Sequence, residues 1–161
     1  MSGCIIPGSF DPITRGHMNM IERASRLYDT VHVAVMVNIA KDGKIPYEDR
    51  VGIIRKACSK LPNVHVSLWK GLLSDFARQN PGNVVIRSVR NTGEFEHEIM
   101  NAEINRRLYP EMETLLLPAE AEWADVSSSA VREIAAFGGD IRNLVPDIVY
   151  RDIVKLIAKK P

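Results

Sequence analysis

Five short β-branched runs, separated by stretches of helical apolar spacing, hold this chain to an alternating β/α architecture. The runs fall at residues 4–6, 31–37, 64–68, 84–86 and 114–117. After the first, Met20, Ile21, Ala24, Leu27 and Tyr28 share one helical face; after the second, Val51, Ile54, Ala57 and Leu61 do the same. A shorter helix is predicted over residues 72–78, and a longer one is marked by Phe95, Ile99, Ala102 and Leu108. Another is marked by Val131, Ile134 and Ala135 and ends near Gly138 and Gly139. A last amphipathic helix starts near Pro146, with Ile148, Tyr150, Ile153, Leu156 and Ile157 as its apolar positions. The pattern implies an α/β, Rossmann-like, doubly wound, mainly five-stranded parallel sheet with helices on both faces and right-handed crossovers. With 45% apolar and 25% charged residues and no linker or low-complexity tract, residues 1–161 read as one domain.

The formal net charge of +1 provides no global field for a polyanion, so duplex nucleic acid is not an expected partner and any anion site must be a local cluster of donors. Cys4 and Cys58 lack the paired spacing of a zinc or redox motif and are too few for a disulfide scaffold, which suits a reducing cytoplasm. The first apolar run stops at Pro7, too short for a signal-peptide core, and no later stretch approaches a membrane span. A soluble, cytoplasmic protein is expected.

In a doubly wound sheet, ligands lie beyond the carboxyl ends of the strands. The segment 7–17 leaves the first strand and opens the first helix. Gly8 lets the backbone approach a ligand, Ser9 offers a hydroxyl, and Thr14 to His17 sit where free helix amides and the positive dipole end favour phosphate. Beyond the second strand, Lys41 and Lys44 supply movable ammonium charges suited to a dianion. Arg87 and Arg90 follow the fourth run, where the alternative to an anion site is neutralisation by Glu94, Glu96 or Glu98. Ser127, Ser128 and Ser129 precede a helix beginning near Ala130 and can cradle phosphate oxygens. No Gly-x-Ser-x-Gly elbow accompanies these serines, which argues against a hydrolase.

The run Thr14-Ile-Arg-Gly-His17 resembles the T/H-x-G-H loop of the nucleotidyltransferase superfamily. Thr14 at its first position, and the run from Val126 through the three serines to Arg132, resemble the pantetheine-phosphate adenylyltransferases, and the later motifs keep that family's order along the whole chain. Relatives that make nicotinamide or nicotinate dinucleotides usually carry His at the first motif position and Ile-Ser-Ser-Thr at the second. The resemblance implies transfer of the adenylyl group of ATP to 4′-phosphopantetheine, giving dephospho-coenzyme A and pyrophosphate by direct attack, without a covalent enzyme intermediate. It implies a catalytic set of Ser9, His17, Lys41 and Arg90. Ser9, Lys41, Arg87 and Leu73 would meet the pantetheine substrate, with Leu72 beside its arm. ATP would meet Ser9, Phe10 and His17 from the first loop, and Ser88, Val89, Arg90 and Glu98 from the fourth strand end. From the last segment it would meet Trp123, Ala124, Asp125, Val126, Ser127, Ser128 and Ser129. The resemblance also implies Mg²⁺ held mainly by ATP phosphates with no protein metal site, a homohexamer, and coenzyme A as a feedback ligand. It leaves open whether Lys44 shares the role of Lys41 and what His97 does. The rival readings are a nicotinate or nicotinamide mononucleotide adenylyltransferase and a non-catalytic nucleotide sensor on the same scaffold.

Overall fold

The computed structural model describes residues 2–40, 43–80 and 82–158. Its elements alternate as expected: β1 (Gly3–Gly8), α1 (Arg15–Leu27), β2 (Thr30–Met36), α2 (Tyr47–Ala57), β3 (Val64–Trp69), α3 (Leu73–Gln79), β4 (Val84–Val89), α4 (Thr92–Leu108), β5 (Glu113–Pro118), α5 (Ser128–Ala136) and α6 (Tyr150–Ala158). Single 3₁₀ turns at Ala121–Trp123 and Asp147–Val149 precede the last two helices. All four strand pairings are parallel, in the order β3-β2-β1-β4-β5. The chain therefore reverses its winding direction at β1, and the crevice between the ends of β1 and β4 is the topological switch point.

Residue alternation along the strands assigns the two faces. Cys4, Ile6, Val31, Val33, Val35 and Ile86 join the larger core under α1, α2, α5 and α6, whereas Ile5, Ala34 and Val85 meet Phe76 and Ala77 of α3, with Met112, on the other. The final helix belongs to the larger core: Ile153 and Ile157 are buried. Helix α4 lies where the sequence places it, but its apolar side does not face the core. Phe95, Ile99 and Leu108, the apolar positions that mark this helix in the sequence, are exposed, as are Met100 and Ile104. What α4 buries is Glu98.

Two features shape the turn after β1. Phe10 takes a left-handed φ of 46°, rare for a residue with a side chain, and its ring is buried. A Cβ on Gly8 would stand 2.9 Å from that ring, so glycine is required where the chain folds over Phe10.

Candidate active site

A cleft of about 820 Å³ opens at the switch point, between the ends of β1 and β4 and the starts of α1 and α5. Of the sequence-predicted residues it brings together Ser9, His17, Arg87, Ser88, Arg90, Glu98, Trp123, Val126, Ser127, Ser128 and Ser129, and His97 also lies on its wall. Phe10, Val89, Ala124 and Asp125 do not line it. Phe10 instead turns its ring into the core, edge-on to the His17 imidazole at 5.0 Å between centroids. Lys41 lies outside the described residues; Lys44 is exposed, and its backbone N–H donates to Asp11.

Thr14 caps α1, accepting from the His17 backbone N–H at 3.3 Å, and its own N–H donates to His17 Nδ1 at 3.1 Å. This is a capping box with histidine in the place usually taken by Glu or Gln. Because Nδ1 accepts a backbone proton, the neutral ring carries its hydrogen on Nε2, which makes that nitrogen a donor. Loss of water, and then the positive charges of Arg87 and Arg90, lower the His17 pKa from 6.5 to about 4. The folded value lies below the unfolded one, so the neutral ring stabilises the fold above pH 6.5, and that contribution is lost as pH falls from there through about 4. An NMR titration of the ligand-free protein should find His17 titrating near 4, moving upward when tripolyphosphate binds; titration near 6.5 without ligand would contradict this environment.

Both arginines are oriented by α4. Arg87, inside β4 rather than beyond it, donates to Glu98 from Nε at 2.9 Å and Nη2 at 2.6 Å, and to Pro7 O from Nη1 at 2.7 Å. Arg90 donates to Glu94 from Nε at 2.8 Å and from its backbone N–H at 3.0 Å, and to Val126 O from Nη1 at 3.1 Å, with a further contact between Nη2 and Glu94. The bond from Arg90 holds the Glu94 carboxyl below its usual range. The neutralisation considered from sequence is thus present for both residues. A guanidinium has five N–H donors, however, and only three positions on each are engaged, so each remains competent to hold an anion.

Helix α5 starts at Ser128, two residues earlier than the sequence suggested, and its serines divide their work. Ser127 is the N-cap, accepting from Ala130 N–H at 3.1 Å; Ser128 donates to Pro12 O at 2.7 Å; and Ser129 accepts from Arg132 at 3.2 Å. Ser128 has spent its O–H on Pro12, whereas Ser127 and Ser129 only accept in these bonds and keep their O–H donors, which join the first-turn amides and the helix dipole in the anion-binding capacity of this end. Trp123 forms the neighbouring wall, with the Arg15 guanidinium 5.8 Å from its ring centre.

A second cleft of about 370 Å³ runs between the sheet and α4, lined by Met36, Leu73, Val85, Ala102 and Ile104 together with the amides of Asn101 and Asn105. It shares Pro7, Gly8, Ser9, Asn38, Arg87 and Glu98 with the first. Leu73 belongs here, while Leu72 is exposed at the N-cap of α3.

The sequence reading passed over Asp11, Arg50 and Arg132, all on the wall of the main cleft. Asp11 lies in the segment 7–17 ahead of the Thr14–His17 motif, and Arg132 closes the last motif. Arg50 falls among apolar helix positions, and nothing in its spacing announces a buried guanidinium that is 2% exposed.

A model of the cytidylyltransferase-like family matches residues 5–134. A phosphopantetheine adenylyltransferase from Rubrobacter xylanophilus is 45% identical over 159 residues, covering 99% of this chain and 97% of that protein. Proteins of the same name from Finegoldia magna and Clostridium perfringens are 46% and 42% identical, covering 92% and 96% of this chain and 92% and 94% of their own lengths. A crystal structure of a putative nicotinate-nucleotide adenylyltransferase from Vibrio parahaemolyticus superposes with a TM-score of 0.69 over 99% of this chain and 98% of its own; at 15% identity it shares the fold. The chain belongs to the cytidylyltransferase-like family and, within it, to the phosphopantetheine adenylyltransferases.

Proposed function

We propose that this chain transfers the adenylyl group of ATP to 4′-phosphopantetheine, releasing pyrophosphate and forming dephospho-coenzyme A. The observation that carries this reading is the meeting of two unlike clefts at Ser9, Arg87 and Glu98. The larger, with its guanidiniums, imidazole and helix starts, suits a nucleoside triphosphate; the narrower, of mixed aliphatic and amide lining, suits an arm of the same character. A phosphate on the end of that arm arrives at the junction, within reach of the α-phosphorus. One of its oxygens attacks that phosphorus while the bond to the β-phosphate oxygen breaks, so the electron pair leaves on pyrophosphate and no enzyme-bound species is needed.

The residues align and stabilise charge. Arg87, Ser9 and Lys41 hold the acceptor phosphate, the neutral His17 Nε2–H donates to charge growing on the α-phosphoryl oxygens, and Arg90 with the start of α5 holds the leaving pyrophosphate. Mg²⁺ would neutralise the triphosphate and polarise the phosphoryl group undergoing attack. Glu94 and Glu98 are engaged by arginines and Asp11 by Arg50, Arg132 and two amides, so the donor set fits an ion carried on the nucleotide's own oxygens. Pyrophosphate release should require ATP, Mg²⁺ and 4′-phosphopantetheine together. Release with nicotinate mononucleotide instead, or none with any acceptor, would overturn the assignment.

Assembly as a homohexamer is part of the same reading, as is binding of coenzyme A across both clefts. Phe95, Ile99, Met100 and Ile104 of α4, with Leu115 of the adjoining β5, expose between 43% and 58% of their surface, a concentration of apolar area that a subunit contact would cover. Ile99→Glu should lower the sedimentation coefficient to that of a smaller species; an unchanged value would remove α4 from the interface. Cytoplasmic residence fits two buried cysteine thiols whose pKa values burial raises to about 12. No helix of the described residues is long and apolar enough to cross a membrane.

A further inference from the structure

Asp11 gathers more of the cleft's framework than any group assigned above. It is 7% exposed. Its Oδ2 accepts from Lys44 N–H and its Oδ1 from Ile45 N–H, both at 2.9 Å, and Arg50 and Arg132 each stand 3.6 Å from one of its oxygens. Its backbone carbonyl accepts a further bond from Arg132. Arg50 extends the web: it donates to Ser9 O at 3.0 Å and Ile45 O at 2.7 Å while lying 4.2 Å over the Tyr47 ring. Ser128 closes it from α5 by donating to Pro12 O. One carboxylate thus fastens three segments remote in sequence: the turn after β1, the connection leading into α2, and the first turns of α5.

A buried ion set of this kind contributes little to net stability, since desolvation offsets most of its Coulombic attraction. Its geometric consequence is larger. The connection into α2 leaves β2 by way of Asn38, which lines both clefts, while Ser129 and Arg132 line the larger cleft alone. On the functional reading given above, we infer that Asp11 is a positioning residue that fixes the acceptor-binding side of the site against the ATP-binding side, so that attacking oxygen and α-phosphorus are presented at reacting distance. Both carboxylate oxygens are engaged, each by a backbone amide and a guanidinium, so Asp11 acts through the segments it holds. Two reactants must be aligned to within about an ångström, and misplacement by that much costs on the order of 10²-fold in rate.

Wild-type turnover of ATP with 4′-phosphopantetheine is measured first and stands or falls alone. Asp11→Asn keeps the size and one acceptor but loses the charge and presents an NH₂ group to a backbone N–H. In the folded variant kcat should fall on the order of 10²-fold, the cost of lost alignment, and the KM for ATP and the KM for 4′-phosphopantetheine should both rise about tenfold, the loss of one charge-assisted hydrogen bond felt on each side. A lower melting temperature with all three constants unchanged would show a purely structural role, and a rise confined to one substrate would break the proposed registration; either overturns the inference. If Asp11→Asn does not fold, Arg132→Ala is the deciding variant. Arg132 stands on α5, away from the acceptor's arm, so a raised KM for 4′-phosphopantetheine supports transmission through Asp11 and an unchanged one overturns it.

Discussion

His17→Ala is expected to remain folded while its turnover falls about 10²–10³-fold, the usual consequence of removing one preorganised transition-state donor. The fold should tolerate the change because the imidazole lines the cleft and contributes one reciprocal bond to a cap that Thr14 still makes. The catalytic loss follows from the ring's protonation. Thr14 N–H fixes Nδ1 as the acceptor, and the lowered pKa keeps the ring neutral at pH 7, so a single N–H is aimed without the desolvation cost of an imidazolium. Such a donor matters most when charge accumulates on the α-phosphoryl oxygens, so kcat should fall much further than the KM for ATP rises. His17→Gln, which can present a neutral amide N–H, should recover part of the loss. Initial rates of pyrophosphate release, with circular dichroism to confirm folding, provide the measurement. A folded His17→Ala variant with near-normal kcat would remove the residue from the mechanism.

The alternation of strands and helices was legible because buried parallel strands leave short β-branched runs that differ in period from the helices covering them. Strand ends were harder to read. β4 continues through Arg87 to Val89, since a strand can end in polar side chains when these face a cleft, and residue type alone then marks the boundary too early. Helix α4 shows the limit of periodicity: Phe95 and Ile99 announce an apolar stripe, but not whether it meets this chain's core or another surface. The cleft-lining positions His17, Arg90 and Ser128 were legible because motif and strand end coincide there. The Arg50–Asp11–Arg132 set was not, because it joins positions that only the folded chain brings together.

Arg87→Ala should raise the KM for 4′-phosphopantetheine about 10²-fold and affect ATP less, because Arg87 stands where the two clefts join and keeps, beyond its bonds to Glu98 and Pro7, two N–H donors for an anion. Two losses combine. The phosphate loses its guanidinium, and Glu98, 8% exposed, loses both of its described hydrogen bonds and remains as an uncompensated buried charge facing the incoming phosphate. Adding Glu98→Gln to Arg87→Ala removes the repulsion without restoring the attraction, so the double variant should bind the acceptor more tightly than the single one. The comparison requires initial rates with each substrate varied at saturation of the other. If ATP alone were weakened, Arg87 would belong to the nucleotide and the proposed division between Arg87 and Arg90 would be reversed. Recovery in the double variant measures how much of the loss came from the orphaned carboxylate, and what remains is due to the missing guanidinium charge.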